Sequence, residues 1–227
     1  MIFVDGKEVP EFLSEALVPS RTAHVEIDLQ NDYCHPNGAF AQAGADVSAY
    51  PSVIETVSGL ISETRKLGVL QVFVKMISLP NGLSDSPAWI WLSRKLSVQY
   101  MGELANIQNP VRPCIKGTWG AELVEKLVVS DDDLVIEKFR SSAFYETSLD
   151  MLLRSNNIQT LIFTGCTTEG CVESTVRDAS FRGYFSIVVR DGVASDIASL
   201  HEASLTVMSA YRADVVDATN VLNALRT

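Results

Sequence analysis

The sequence predicts an α/β protein, a three-layer α-β-α sandwich around a mostly parallel, Rossmann-like sheet. Short apolar runs rich in β-branched residues alternate about six times with stretches of helical spacing, an alternation typical of parallel sheets covered by helices on both faces. A hydrophobic fraction of 47% against 20% charged residues supplies the apolar surface for a core. The 227 residues carry no internal repeat or long linker, so we expect a single domain over residues 1–227.

The first half of the chain predicts two strands joined by a helix. Residues 23–29 (AHVEIDL) form the first predicted strand. Apolar residues at near-helical spacing predict a helix over residues 52–66, which Gly68 ends. Residues 69–75 (VLQVFVK) predict the next strand. Residues 77–113 are irregular and rich in proline, and we expect them to form a lid-like insertion over one end of the sheet.

The second half continues the alternation. We predict strands at residues 134–136, 160–164, 185–190 and 214–216, and helices at residues 123–128, 147–155, 169–182 and 200–211. This succession places several loops at the carboxyl ends of the strands, the edge where ligands bind in such sheets.

Composition excludes several classes of partner. The net charge of −10, with no basic block to offset it, argues against nucleic acid or an anionic membrane surface. No apolar run reaches the roughly 18 residues that a membrane span needs. The first residues carry acids and no long apolar stretch, so we expect no secretory signal and a cytoplasmic location.

The cysteines and histidines do not form a ligand pattern. The four cysteines contain no CxxC pair, and the three histidines are scattered, so we expect no metal and no cofactor. Free cysteines are usually small buried apolar residues. The alternative is that at least one of them is a functional thiol.

Three predicted loops at the strand ends carry polar residues, at 28–33, 137–144 and 164–171. Cys171 precedes a predicted helix, whose N–H groups and dipole favour a thiolate. A nearby Lys138 would lower the thiol pKa further, and Asp28 would move protons. Each residue also has a plain structural interpretation: a packed cysteine, a capping aspartate and a solvated lysine.

Together these loops resemble those of the isochorismatase-like cysteine hydrolases, and the resemblance covers nearly the whole chain. It rests on the segments VEIDLQNDYCHPNGAF, KGTWGAEL, IEKFRSSAF and FTGCTTEGCVESTVRDASFRGY. The resemblance implies the isochorismatase-like hydrolase fold and a catalytic triad of Asp28, Lys138 and Cys171. It also implies a cis peptide between Cys166 and Thr167, and an oxyanion hole formed by the N–H groups of Thr167 and Cys171.

The resemblance also bears on the reaction. Cys171 argues against the vinyl-ether cleavage of true isochorismatases, and the metal cluster of nicotinamidases is missing after the first loop. The branch that includes biuret hydrolase, ureidoacrylate amidohydrolase and N-carbamoylsarcosine amidohydrolase is most similar. It implies hydrolysis of a small ureido or carbamoyl amide through a thioester, with release of ammonia, by a homodimer or homotetramer. Alternatives are a maleamate- or nicotinamide-like substrate, or a non-catalytic binding protein of this fold.

Candidate substrate-binding residues are mostly aromatic, because an aromatic wall would stack on a planar urea-like group and exclude water. The candidates are Asn31, Tyr33, Phe40, Trp89, Arg140 and Phe144. Arg140 would bind a substrate carboxylate or pair with a surface acid, and the others would alternatively pack in the core. For Glu169 we favour a helix-capping role over contact with substrate, for His35 a turn or packing role, and for His201 a surface or packing role over a catalytic one.

Overall fold

The computed structural model describes residues 1–92 and 111–227, which are organised around a six-stranded sheet. An N-terminal hairpin of β1 (Ile2–Val4) and β2 (Lys7–Val9) lies outside this sheet. The sheet strands are β3 (Thr22–Ile27), β4 (Leu70–Met76), β5 (Leu134–Lys138), β6 (Thr160–Cys166), β7 (Phe185–Ala194) and β8 (Asp214–Val216). They lie in the order β5-β4-β3-β6-β7-β8, and every neighbouring pair is parallel.

Helices connect these strands. They are α1 (Leu13–Ala16), α2 (Asn31–Cys34), α3 (Ala39–Gln42), α4 (Tyr50–Lys66), α5 (Leu149–Ser155), α6 (Glu173–Phe181), α7 (Ala198–Tyr211) and α8 (Ala218–Leu225). Residues 87–92 are also helical. Within the two described stretches, no helix has both the length and the apolarity that crossing a bilayer requires.

The core lies on both faces of the sheet, because successive residues of a strand point to opposite sides. Ala23, Val25 and Ile27 of β3 pack with Leu149 and other apolar residues of α5 and α6. On the opposite face, apolar residues of α4 pack around Phe73 of β4. The predicted sandwich with a mostly parallel sheet is therefore confirmed.

The predicted helix over residues 123–128 is wrong. A single 3-10 turn, Trp119–Ala121, precedes this segment, and its backbone then bonds to the loop that follows β3. Val124 N donates to Leu29 O at 2.9 Å, and Asn31 N donates to Glu122 O at 2.9 Å. These bonds engage backbone groups that a helix would use internally.

Other differences concern element ends. The predicted helix over residues 169–182 begins as a π-helical turn, Thr168–Val172, and continues as α6. The hairpin β1–β2 and the helix α8 were not predicted. The predicted lid-like insertion around 77–113 falls partly outside the described residues, which end at 92 and resume at 111.

Candidate active site

Three strand ends bring Asp28, Lys138 and Cys171 together. Asp28 follows β3, Lys138 ends β5, and Cys171 lies in the π-helical turn after β6. Lys138 Nζ lies 2.7 Å from Asp28 Oδ2 and 3.1 Å from Cys171 Sγ. Asp28 and Lys138 are fully buried, whereas Cys171 is partly exposed. The structure thus assembles the three residues for which the sequence predicted a catalytic role.

The backbone turns sharply at Asp28. Its φ of 57° lies in the left-handed region, which aspartate tolerates better than most residues. Gln30 holds the turn in place: its side-chain Nε2 donates to Met76 O at 2.9 Å, and its Oε1 accepts from Met76 N at 2.8 Å. Gln30 therefore ties the carboxyl end of β3 to that of β4, beside Lys138.

Asp32 connects two further segments to this loop. Its Oδ1 accepts from Ala39 N at 3.1 Å, and its Oδ2 accepts from Cys114 N at 2.6 Å. Gly120 lies so close that a Cβ there would overlap the Asp32 carboxylate. Sequence reasoning noted the polar run after the first strand but missed Gln30 and Asp32 as positioning residues.

The turn that carries Cys171 begins at a cis peptide between Cys166 and Thr167, the bond for which the resemblance implied this conformation. Thr167 O accepts from Gly170 N at 3.1 Å and from Val172 N at 3.2 Å. Thr167, Gly170 and Cys171 all line one cavity. The predicted oxyanion hole of Thr167 and Cys171 would lie on that wall, and it stays a prediction.

The protonation of the cluster differs from the sequence-based expectation. Burial and the charge of the Asp28 carboxylate raise the pKa of the Cys171 thiol to about 12, and Lys138 only partly offsets them. The expectation of a lowered thiol pKa is therefore wrong for the free protein, because burial and a neighbouring anion both disfavour a thiolate.

The partners of the thiol are shifted as well. Burial raises the pKa of Asp28, against the opposing effect of Lys138. For Lys138, burial acts to lower the pKa, but the charges of Asp28 and Cys171 outweigh it and hold that pKa above its usual value. Lys138 therefore stays protonated. The ionised Asp28 carboxylate, whose pKa is raised, is a suitable acceptor for the proton of the neutral Cys171 thiol.

The cavity above Cys171 has a volume of about 380 Å³, a size typical of small-molecule sites. Three of the predicted substrate-binding residues line it, namely Tyr33, Phe40 and Trp89. The rings of Tyr33 and Phe40 meet edge to face, with centroids 4.7 Å apart. The predicted aromatic wall therefore exists on this side of the cavity.

The other three candidates are not among the described residues that line this cavity, and their role in substrate binding stays a prediction. Asn31 Nδ2 donates to Trp119 O at 2.9 Å, which directs the amide into the loop. Arg140 Nη1 donates to Ser84 O at 3.1 Å. Phe144 is buried in the hydrophobic core between the sheet and the helices α5 and α6.

The histidines have local partners. His35 packs edge to face on Trp119, with centroids 5.0 Å apart, which confirms its predicted packing role. His201 Nδ1 lies 2.8 Å from Thr168 Oγ1, behind the turn that carries Cys171. In residues 1–92 and 111–227, no three His, Cys, Asp or Glu side chains are grouped as a metal ion would require.

Among the described residues, four charged ones line the cavity. Sequence reasoning missed three of them, Asp85, Arg112 and Asp196, and assigned a capping role to Glu169. Asp85 and Arg112 lie on the wall and form an ion pair of 2.6 Å. Glu169 lies in the first turn after β6 and also lines the cavity, together with Asp196. No shared local motif marks these residues, because four separate segments place them there.

Comparison with known proteins identifies the family. The model of the isochorismatase domain matches residues 22–220. The chain belongs to the isochorismatase family. Ureidoacrylate amidohydrolase RutB of Klebsiella pneumoniae is 35% identical over 188 residues, which cover 80% of this chain and 76% of that protein.

Solved structures of other hydrolases share the fold of this chain. A cysteine hydrolase from Pseudomonas syringae shares the fold, with a TM-score of 0.76 and 24% identity over 93% of this chain and 95% of that one. N-carbamoylsarcosine amidase from Thermoplasma acidophilum gives a TM-score of 0.65 and 28% identity over 87% and 96%. The predicted family is confirmed, and the expected class, a hydrolase of C–N amide bonds, is the class of its named relatives.

Proposed function

We propose that this isochorismatase-family protein is a cysteine-dependent amidohydrolase that cleaves a C–N bond of a small ureido or carbamoyl amide and releases ammonia. The observation that carries the proposal is the buried cluster in which Lys138 Nζ lies 2.7 Å from Asp28 and 3.1 Å from Cys171. The amidohydrolase at 35% identity and the amidase at 28% identity support the same bond type.

The first half-reaction forms a thioester. As Cys171 Sγ attacks the carbonyl carbon, its proton passes to Asp28, because an ionised thiol is disfavoured in this site. Asp28 then gives that proton to the departing nitrogen, and the C–N bond breaks. Lys138 keeps its charge and stabilises the anionic form of either neighbour during the transfer.

The second half-reaction hydrolyses the thioester. Asp28, ionised again, takes a proton from a water molecule that attacks the acyl carbon, and the proton returns to the sulfur as the C–S bond breaks. Backbone N–H groups of Thr167 and Cys171 would stabilise the oxyanion in both halves. A single carboxylate thus acts as acid and base, without a histidine.

The aromatic residues of the cavity suit a planar substrate. Tyr33 and Phe40 are buried to half-buried and contact one another, and Trp89 lies on the same cavity wall. Such rings stack on a flat urea-like group and exclude the bulk water that would compete for its hydrogen bonds.

The test measures ammonia release by the full chain from biuret, ureidoacrylate, carbamoyl-amino acids, nicotinamide and maleamate. We expect turnover of at least one ureido or carbamoyl compound, and its complete loss in Cys171→Ala with an unchanged circular dichroism spectrum. Cys34→Ala is the matched control, because it removes a buried thiol that is not bonded to Lys138. Turnover that survives in Cys171→Ala, or no turnover by the parent protein, would overturn the proposal.

A further inference from the structure

One side of the catalytic cavity is acidic. Glu169 lies two residues before Cys171 and lines the cavity, and Asp196 lines it from the loop between β7 and α7. Burial raises the pKa of Glu169, and the charge of Asp196 raises it further, so the two carboxylates lie close enough to interact. We call these two residues the acidic wall.

Arg112, which lines the described cavity, and Lys138, which contacts Cys171, are already paired with other carboxylates. Arg112 Nε binds Asp85 at 2.6 Å, and Lys138 binds Asp28 at 2.7 Å. Among residues 1–92 and 111–227, no lysine, arginine or histidine lies within ion-pair distance of Glu169 or Asp196. The acidic wall therefore presents an uncompensated negative potential to a bound molecule.

Glu169 also has hydrogen-bonding capacity to spare. Its Oε1 accepts from Ser195 Oγ at 3.0 Å, which fixes the carboxyl group. Its Oε2 is a buried oxygen without a hydrogen-bond partner in the described structure, although the nearby Thr167 side chain acts to lower the pKa of this carboxyl. A buried acceptor without a donor is costly, so a ligand that donates an N–H there gains more than one that does not.

We propose that the acidic wall selects amides whose far end is an uncharged N–H donor, such as a urea or primary amide group, over amides that end in a carboxylate. The inference rests on the proposed function, because it concerns the substrate that occupies the same cavity. A ligand carboxylate at the wall would meet two like charges and leave Glu169 Oε2 unsatisfied. An NH₂ group would donate to that oxygen and meet no repulsion.

The experiment compares two substrates of opposite character, biuret with NH₂ ends and ureidoacrylate with a carboxylate end. Steady-state kcat and KM are measured for the parent protein, Glu169→Gln and Asp196→Asn. Glu125→Gln is the control, because Glu125 is exposed and does not line the cavity. Binding of biuret and ureidoacrylate to Cys171→Ala, with and without Glu169→Gln, is measured by calorimetry.

We expect the parent protein to prefer biuret in kcat/KM. Glu169→Gln should lower kcat/KM for biuret about tenfold, mainly through KM, which corresponds to about 1.4 kcal/mol. The same variant should raise kcat/KM for ureidoacrylate relative to that for biuret, and Asp196→Asn should shift this ratio in the same direction. The Glu125→Gln control should keep the parent preference.

The outcomes separate this inference from the proposed function. If the parent protein prefers ureidoacrylate, or if the variants keep the parent preference, the inference about the acidic wall is wrong. The proposed amidohydrolase function is not affected by either result. If the parent protein turns over no amide, the proposed function fails and the binding data decide. If Cys171→Ala with Glu169→Gln then binds biuret more weakly than Cys171→Ala alone, the inference about the acidic wall is supported. Equal binding by the two proteins, or no binding, would overturn this inference.

Discussion

At the scale of single residues, Glu26 is an ionisable group that the catalytic mechanism does not use. It lies in the central strand β3, two positions before Asp28 and on the same side, and it is almost fully buried. Its Oε1 accepts from Leu29 N at 2.9 Å, while its Oε2 has no hydrogen-bond partner among the described residues. Burial, with a smaller contribution from Asp28, raises the pKa of Glu26 to about 8.

We expect Glu26→Gln to stabilise the fold more at pH 9 than at pH 5. The folded-state pKa of about 8 exceeds the reference value of 4.5, so the folded state holds the extra proton between these values. The free energy of unfolding therefore falls as the pH rises through this window. Glutamine keeps the acceptor for Leu29 N and removes the charge. Urea unfolding at pH 5 and pH 9 measures the free energy of unfolding of the parent and of Glu26→Gln, with Glu125→Gln as control. An equal increase in this free energy at both pH values would contradict the raised pKa of Glu26.

A second residue-scale prediction concerns Asp28. In Asp28→Asn, the amide does not accept the thiol proton, so we expect acylation of Cys171 to be blocked. Mass spectrometry of the variant incubated with a substrate of the parent protein should show no adduct on Cys171. A stable adduct that forms at the parent rate would mean that Asp28 acts only in deacylation, and the dual role proposed above would be wrong.

At the scale of elements, the end of β6 depends on one glycine. Gly165 has a φ of +117°, and a Cβ there would overlap the carbonyl oxygen of Ile27 in the neighbouring strand β3. The two residues are paired in the sheet register. This close approach sets the position from which the chain enters the turn of Thr167 and Cys171.

We expect Gly165→Ala to destabilise the protein by about 3 kcal/mol, because the new methyl group meets backbone atoms that have no room to move. Activity should also fall, since the turn that carries Cys171 would shift. Gly59→Ala is the matched control: Gly59 lies in α4 and has open space around its missing Cβ. The free energy of unfolding of Gly59→Ala should exceed that of the parent protein by about 0.5–1 kcal/mol. Equal stability of both variants in urea unfolding would contradict the close-approach argument.

At the scale of the whole molecule, the buried ion pair of Lys138 and Asp28 also contributes to the free energy of folding. Lys138 and Asp28 have side chains exposed by 0% and 1%, respectively, and are 2.7 Å apart. Breaking such a pair leaves one buried charge without compensation, which costs more than removing both charges.

We expect Lys138→Met to lower the free energy of unfolding by about 3–5 kcal/mol. Adding Asp28→Asn should recover most of this loss, although both variants should be inactive. Denaturant unfolding of the parent, the two single variants and the double variant completes the cycle. Strictly additive effects would show that the pair is not coupled in the folded state.

The sequence alone determined the architecture and the edge of the sheet at which the predicted triad meets. Alternating strand and helix patterns indicate a parallel sheet, and parallel strands end at one edge. Polar residues directly after three such strands therefore meet in space, however far apart they are in the chain. For this reason the meeting of Asp28, Lys138 and Cys171 at one edge was predictable, whereas their choice as a catalytic triad came from the resemblance to the isochorismatase-like cysteine hydrolases.

Elements held by distant contacts were not predictable in this way. Residues 123–128 have helical spacing, but hydrogen bonds to the loop after β3 keep Val124 and its neighbours from forming a helix. The same loop owes its shape to Gln30 and Asp32, whose partners come from Met76, Ala39 and Cys114. Local patterns do not encode which distant backbone group a side chain will bind.

Only the tertiary structure decided which side chains line the cavity and how burial shifts the pKa of the Cys171 thiol. Arg140 and Phe144 belong to a rim loop in the sequence but turn towards Ser84 and the core, whereas Glu169 and Arg112 reach the cavity. The pKa of Cys171 rises to about 12 because burial outweighs the effect of Lys138. Burial and the direction of a side chain are set by the packing of segments far apart in the chain, and a sequence pattern contains neither.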